Sequence, residues 1–260
     1  MNHTRHLFMS GAAAALLLII APLGAETSPS VDRAAALAAA QAGNWAQAEP
    51  ALAALAAAEP ADVEACTVLA QHKLDAKESK EAVRLLERAT EAQPNRAALH
   101  ALLGQALGQR IGEVTFIQQG LMSGKLRRAF ARALELEPNN LTGLIGLAYY
   151  HLNAPAIAGG SNQKAIEYAA RVAAVEPFNG ALLQGDISAR REEWAEAARH
   201  YRTALGFQPA HGWLQVKLGD ALRGAGQNPE ARQAYEAALL LSPELPAALE
   251  GIKRLAAVKE

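Results

Sequence analysis

The residues that could carry out acid–base, nucleophilic or metal chemistry are few and scattered. The chain has 7 histidines and 1 cysteine. No two histidines form the H-E-x-x-H spacing of a zinc site, and the single cysteine, Cys66, has no partner for a metal clip or an internal disulfide. Neither a G-x-S-x-G nucleophile elbow nor a G-x-x-x-x-G-K-[ST] phosphate loop occurs. The sequence therefore predicts no enzyme activity, no metal site and no cofactor.

The overall charge argues against nucleic acid as a partner. The 25 basic and 26 acidic residues give a formal net charge of -1 at pH 7. Domains that bind nucleic acid concentrate positive charge on one face, and a near-neutral chain offers no such general field. A protein or peptide partner is the better expectation.

The elements that must position any functional surface recur along the chain. Residues 218–243 read as two amphipathic helices joined by a Gly-rich turn, with Ala231 and Tyr235 four residues apart on one face. A proline follows the second helix, and such prolines recur with steps of 34, 44, 39, 32 and 34 residues: Pro60, Pro94, Pro138, Pro177, Pro209 and Pro243. One helical hairpin cannot bury its apolar face alone, so the copies must stack.

The recurring residues resemble the tetratricopeptide repeat (TPR), whose signature runs L-G-x-x-Y, then A-x-x-x-F, then A and P. The best matches are Leu103-Gly104, Leu218-Gly219, Ala197 with Tyr201, and Ala231 with Tyr235. The resemblance covers about residues 29–243, although the tryptophan that opens the family signature is missing from every copy. It implies an all-α fold, a right-handed α-α superhelix of six helical hairpins with a C-terminal capping helix.

The repeat boundaries and the two ends complete the expected organisation. Residues 26–243 form the array and 245–260 the capping helix, with repeats at about 30–62, 63–96, 97–140, 141–179, 180–211 and 212–244. Residues 1–25 are typical of an export signal, with Arg5, an apolar run over 11–21 and cleavage after Ala25. That run is shorter than the roughly 20 residues a membrane span needs. An uncleaved anchor or a buried N-terminal helix is the alternative.

Two repeats carry extra residues at the same turn. About ten fall within residues 110–125 of the third repeat and about five within 153–161 of the fourth, so we expect the two inserts to be neighbours in space. Their apolar residues Phe116, Ile117 and Ile157 either fold back over their own helices or wait for a partner. We expect them to fold back, because exposed apolar patches on soluble proteins are normally small.

The resemblance also implies where a partner binds, because the first helix of each TPR hairpin lines a concave groove. Transferred by register, the candidate partner-binding residues are Gln71, Gln105, Tyr149, Gln184, Arg191, Trp213, Asp220 and Arg223. This mixed lining suits an extended segment held by amides, with Tyr149 or Trp213 as an apolar anchor. Core packing is the equally weighted alternative for these two aromatic residues.

The expected function follows from the repeats, the export signal and the missing catalytic constellations. We expect a non-catalytic, periplasmic interaction scaffold without a membrane span once the signal is cleaved. The alternative is an accessory protein of an envelope transport system that binds a small molecule or lipid, with the inserts of the third and fourth repeats as a lid.

Overall fold

The fold is an array of antiparallel helix pairs. The computed structural model describes residues 32–257, so the expected export signal lies outside the described residues. Over this range the chain forms 13 α-helices and one short 3-10 helix, with no strand. The first six α-helices are α1 (Arg33–Gln41), α2 (Trp45–Ala57), α3 (Val63–Asp75), α4 (Ser79–Ala92), α5 (Ala97–Ile111) and α6 (Phe116–Leu136). Next come α7 (Leu141–Asn153), the 3-10 helix η1 (Ala156–Ala158), α8 (Asn162–Val175), α9 (Pro177–Arg190), α10 (Trp194–Phe207), α11 (Gly212–Gly224), α12 (Asn228–Leu241) and α13 (Pro246–Ala257).

The helices pair as six hairpins, α1–α2 to α11–α12, and α13 packs on the last hairpin. Each helix contacts the helices before and after it in the chain. Alternate first helices also contact one another, α1 with α3, α3 with α5, α5 with α7 and α7 with α9, and no comparable contact joins the second helices of residues 32–257. The first helices therefore form the inner layer of an all-α superhelix, which confirms the predicted fold class.

The repeating prolines lie where one hairpin passes to the next. Five of them stand in the linkers between hairpins, and Pro177 is the first residue of α9. Proline suits both places, because it lacks the N–H that a helix interior needs and its fixed φ fits the first helical turn. The prolines that define the repeat period thus lie at the boundaries of the hairpins.

Glycine and aromatic residues fit the two layers together. A Cβ added at Gly219 on α11 would lie 2.6 Å from a ring carbon of Tyr235 on α12, and one at Gly251 on α13 would lie 2.5 Å from the same ring. The ring of Tyr235 therefore packs between α11 and α13, in a space that a side chain at either glycine would fill. Phe130 on α6 is wedged in the same way between Gly104 and Gly146.

The first two hairpins lack such wedges. The buried core of α1 to α4 consists of Ala, Leu, Val and Cys side chains, and Cys66 within it is fully buried. The aromatic contact in this part lies elsewhere, where the ring of Trp45 on α2 stacks on that of His72 on α3 with the two ring centroids 3.6 Å apart.

The extra residues of the third repeat are helical rather than a loop. Only residues 112–115 separate α5 from α6, and α6 is 21 residues long. Thr115 is the N-cap residue of α6 and forms a capping box with Gln118, which begins the helix about two turns early. The insert of the fourth repeat forms η1, after which Ser161 accepts a hydrogen bond from Lys164 N at 3.3 Å and caps α8.

Candidate functional site

The inner layer holds a carboxylate that accepts three hydrogen bonds. Asp186 on α9 accepts from the hydroxyl of Tyr149 on α7 and from that of Tyr201 on α10, each at 2.8 Å. Lys217 on α11 donates from Nζ to the same carboxylate at 2.7 Å. We call these four residues the Asp186 cluster. Because they come from four helices, they tie the fourth, fifth and sixth hairpins together.

Both tyrosine hydroxyls of the Asp186 cluster are held in the protonated form. Burial raises the pKa of both Tyr149 and Tyr201 well above the usual tyrosine value, and the charge of Asp186 raises each further. Both hydroxyls are therefore hydrogen-bond donors at neutral pH. The side chain of Asp186, which accepts from them and from Lys217, is only 10% exposed.

An open pocket of about 350 Å³ lies over the Asp186 cluster. Its lining is Tyr149, Leu152, Asn153, Asp186, Ala189, Arg190, Tyr201 and Lys217. Arg190 is exposed and makes no ion pair with any residue of the 32–257 range. Since Lys217 is already paired with Asp186, Arg190 gives this groove pocket a net positive charge. The pocket can therefore accept a carboxylate or a row of backbone carbonyls.

A second, more exposed carboxylate repeats the arrangement in the sixth hairpin. Asp220 accepts from the hydroxyl of Tyr235 at 2.8 Å, and Arg223 lies 3.8 Å away from it. Burial, together with the Asp220 contact, raises the pKa of Tyr235 to about 12. The buried Nε of Arg223 has no hydrogen-bond partner among the described residues. The Arg223 side chain as a whole is 35% exposed, so its guanidinium can still meet a partner on the inner layer.

The predicted groove residues occupy different surroundings. Gln71 on α3 and Gln105 on α5 are exposed. Trp213, in the first turn of α11, is 58% exposed, so it is not a core residue. Arg191 is exposed and forms an ion pair with Glu193 at 2.8 Å. Tyr149 is half-buried within the Asp186 cluster, and Asp220 and Arg223 lie together as described.

The fifth repeat begins earlier than predicted from the sequence, at Pro177 rather than at about residue 180. The role of Gln184 and Arg191 in partner binding stays a prediction. In the structure Glu176 alone separates α8 from α9, so the shortening lies in the linker before α9. A Cβ at Gly185 would meet the ring of Tyr201, as one at Gly219 meets Tyr235.

The corrected register explains which residue the prediction missed. Asp186 is the counterpart of Asp220, whereas Gln184 is half-buried beside it in the sequence. One signal could have found the pair: Asp186 and Asp220 are 34 residues apart, and each precedes a tyrosine, Tyr201 or Tyr235, by 15 residues. Lys217 carries no such repeat signal, because its role depends on the approach of α11 to α9.

The two inserts are neighbours and enclose a second cavity. It has a volume of about 700 Å³ and is lined from α5, α6, α7 and η1. Ile117 on α6 is 77% exposed and Ile157 on η1 is 100% exposed, although both line the cavity. These two residues therefore lie at the mouth of the cavity. From the sequence we expected them to fold back over the core, and they do not. Phe116 begins α6, but its side chain lies outside what the structure describes.

Metal-ligand clusters and membrane-spanning helices are both missing from the described part of the chain. No group of three or more His, Cys, Asp or Glu side chains between residues 32 and 257 is arranged to hold a metal ion. No helix in that range combines the length and the apolar character that crossing a membrane requires.

Comparison with known proteins places this architecture in a family. Profiles described as tetratricopeptide repeat match residues 39–106 and 216–252. No curated protein matches the sequence. Among solved structures, a thermophilic TPR protein of Thermus thermophilus is similar with a TM-score of 0.59 at 18% identity, over 75% of this chain and 98% of that one.

Two other similar solved structures are those of PilW and PilF. The type IV pilus biogenesis factor PilW superposes with a TM-score of 0.56 at 16% identity, over 75% of this chain and 92% of its own. PilF of Pseudomonas aeruginosa gives 0.54 at 17%, over 75% and 87%. At these identities the likeness shows the fold. The matched profiles identify tetratricopeptide repeats at residues 39–106 and 216–252, and the structural likeness shows a TPR-like fold over about three quarters of the chain.

Proposed function

We propose that the chain is a non-catalytic scaffold that binds an extended protein segment along its inner layer. The TPR fold itself supports a role in protein interaction. The observation that carries the finer proposal is the groove pocket, an open, positively charged site on the inner layer. Its one carboxylate is fully occupied by donors of the protein itself, so the site is built to receive acceptors.

The chemistry of the inner layer defines the segment it would accept. Arg190 and the guanidinium of Arg223, whose side chain is 35% exposed, are donors for carboxylates or backbone carbonyls. Gln105 adds an exposed amide, and Trp213 offers a large apolar surface that a partner side chain can cover. An extended segment with an acidic residue near a bulky apolar one fits these groups.

The test is site-specific photo-crosslinking followed by truncation of one aromatic residue. A crosslinker at Gln105, on the inner layer, should capture a partner, whereas one at the exposed Arg84 of α4 should not. Trp213→Ala should then lower capture about tenfold, the effect of losing one anchor residue. Phe207→Ala is the matched control, because Phe207 is 54% exposed but ends a second helix. Equal capture by both variants would remove the groove from the proposal.

We further propose that this scaffold works in the periplasm. The support is the pattern of residues 1–25, with a basic start, an apolar run and small residues before the expected cleavage after Ala25. Mass spectrometry of the protein from an envelope fraction should show a terminus at Glu26. An intact Met1 in that fraction would contradict cleavage.

A second candidate function has one observation in its favour. The inserts of the third and fourth repeats line the same cavity, as a lid over a small-molecule or lipid site would. Such a protein could accompany an envelope transport system. A thermal-shift panel of metabolites and lipids separates the two functions, since a ligand at 100 times its Kd stabilises by about 2.7 kcal/mol.

A further inference from the structure

The cavity at the inserts has the size and lining of a ligand site. Its volume of about 700 Å³ falls within the roughly 300–1,000 Å³ of small-molecule pockets. A cavity of only about 150 Å³ already holds a benzene molecule. A single partner side chain would leave most of this cavity empty. The occupant must therefore have a larger apolar body.

No charged residue lines the cavity, and glycine keeps it open. Gly104, Gly108, Gly120 and Gly146 contribute lining without side chains. An added Cβ at Gly108 would make only an ordinary contact with Leu126 at 3.6 Å, and one at Gly120 would meet nothing within 4 Å. Larger residues could therefore occupy these two positions without a clash at Cβ, but they would fill the space. An uncharged, apolar space of this kind favours a hydrocarbon chain.

The cavity adjoins the groove pocket, since Tyr149 and Asn153 line both. A molecule whose apolar end fills the cavity and which extends past these two residues would present its other end to the groove pocket, where Arg190 is exposed. There Asp186 is already satisfied by three donors, so the local field favours an anion. A site with an apolar cavity and a cationic end suits an amphiphile that has an apolar chain and an anionic headgroup.

We propose that this cavity binds a single-chain anionic amphiphile, with its acyl chain among the inserts and its carboxylate or phosphate beside Arg190. The inference rests on the second candidate function above and deepens it, and of the groups proposed for segment binding it relies only on Arg190. Ile117 and Ile157, exposed at the mouth, would lose contact with water when the chain is bound. The affinity should then rise by about fourfold for each CH₂ that enters the cavity.

The experiment is calorimetric titration of the full chain with defined probes. Decanoate, dodecanoate and tetradecanoate report the dependence on chain length, dodecyl phosphate and dodecanoate compare the two headgroups, and dodecanol removes the charge. We expect both anions to bind at least about tenfold more tightly than the alcohol, the scale of a charge-assisted hydrogen bond. Binding that does not strengthen with chain length, or that is equal for dodecanol, would overturn the proposal.

Variants locate the probe. Gly108→Leu should weaken dodecanoate at least about tenfold, and Gly206→Leu, at an exposed glycine of α10 with open space around it, should not. If Gly108→Leu is unfolded by circular dichroism, Gly120→Leu replaces it. Arg190→Gln should weaken the binding of the anions but not that of dodecanol. Arg191 is already paired with Glu193, so Arg191→Gln should leave the binding of both kinds of probe unchanged. Equal loss in each pair would overturn the assignment.

The groove variant keeps the two functions apart. Trp213→Ala does not touch the cavity and should bind dodecanoate as the unaltered protein does. If it abolishes dodecanoate binding, the probe sits in the groove and the proposal fails. If no acyl probe binds but Gly108→Leu loses a crosslinked protein partner, the cavity belongs to that partner, and the proposal fails while the scaffold function stands.

Discussion

Removing the carboxylate of Asp186 should destabilise three hairpins at once. In Asp186→Ala the hydroxyls of Tyr149 and Tyr201 lose their acceptor, and Lys217 loses its ion pair. Tyr201 is only 3% exposed, so its hydroxyl has little access to water. The groove pocket is open on the other side, so water can reach Tyr149 and Lys217.

The magnitude follows from these contacts. A hydrogen bond to a charged group contributes about 1.5–3 kcal/mol, so two tyrosine bonds give about 3–6 kcal/mol. Lys217 is 40% exposed, and its pair with Asp186 is worth at most about 1 kcal/mol. Two effects offset part of this loss: water can enter the pocket, and the free-energy cost of burying a charged carboxylate is removed. We expect a net decrease of about 3 kcal/mol in the free energy of unfolding.

Asp220→Ala is the matched control. Asp220 has the same place in the sixth hairpin, but it accepts from one tyrosine and its side chain is 51% exposed. Its loss should cost about 1 kcal/mol. Urea unfolding gives both values. Hydrogen exchange should show the loss of protection in α7, α9 and α11, since long repeat arrays need not unfold in one step. Equal costs for the two variants would refute the network reasoning.

Three further predictions concern packing and protonation. Gly219→Ala should lose about 1–3 kcal/mol of unfolding free energy by overpacking against Tyr235, whereas Gly206→Ala, in open space, should gain up to about 1 kcal/mol; urea unfolding measures both. The tyrosine pKa values are raised in the fold, so stability should be full below about pH 10 and fall above it, and an absorbance titration should place Tyr235 at about 12. Burial lowers the pKa of His151, so its contribution should be full above about pH 6.5 and fall below it; His151→Gln should flatten thermal stability against pH in that range.

The hairpins were readable from the sequence because local rules define them. Prolines end the second helices, and the spacing of Ala231 and Tyr235 marks a helix face that must meet another helix. The superhelix then follows from stacking, since each hairpin leaves an apolar face uncovered. The same rules did not predict the structure of the inserts. Counting extra residues showed that they exist, but the start of α6 depends on the capping box at Thr115 and Gln118.

The site was harder to predict than the fold. The register of the sixth repeat places Trp213 on the inner-layer helix α11, where it is 58% exposed, and its role in binding stays a prediction. Asp186 was missed because the position of a two-residue deletion cannot be counted from either side, and Lys217 because its partner lies 31 residues away on another helix. The cavity between α5, α6, α7 and η1 has no sequence signal, since it depends on the glycines and on the angle at which the inserts leave the array.

The rings wedged between first-layer helices begin only at Phe130, and this has a mechanical consequence. From the third hairpin onward, the ring–glycine contacts fix the spacing between neighbouring helices, and a bound molecule must match that spacing. The first two hairpins have a small aliphatic core without such contacts, so we expect their helices to shift more easily. A partner bound near Trp213 would be aligned by the later hairpins, while the first two adjust to the rest of it.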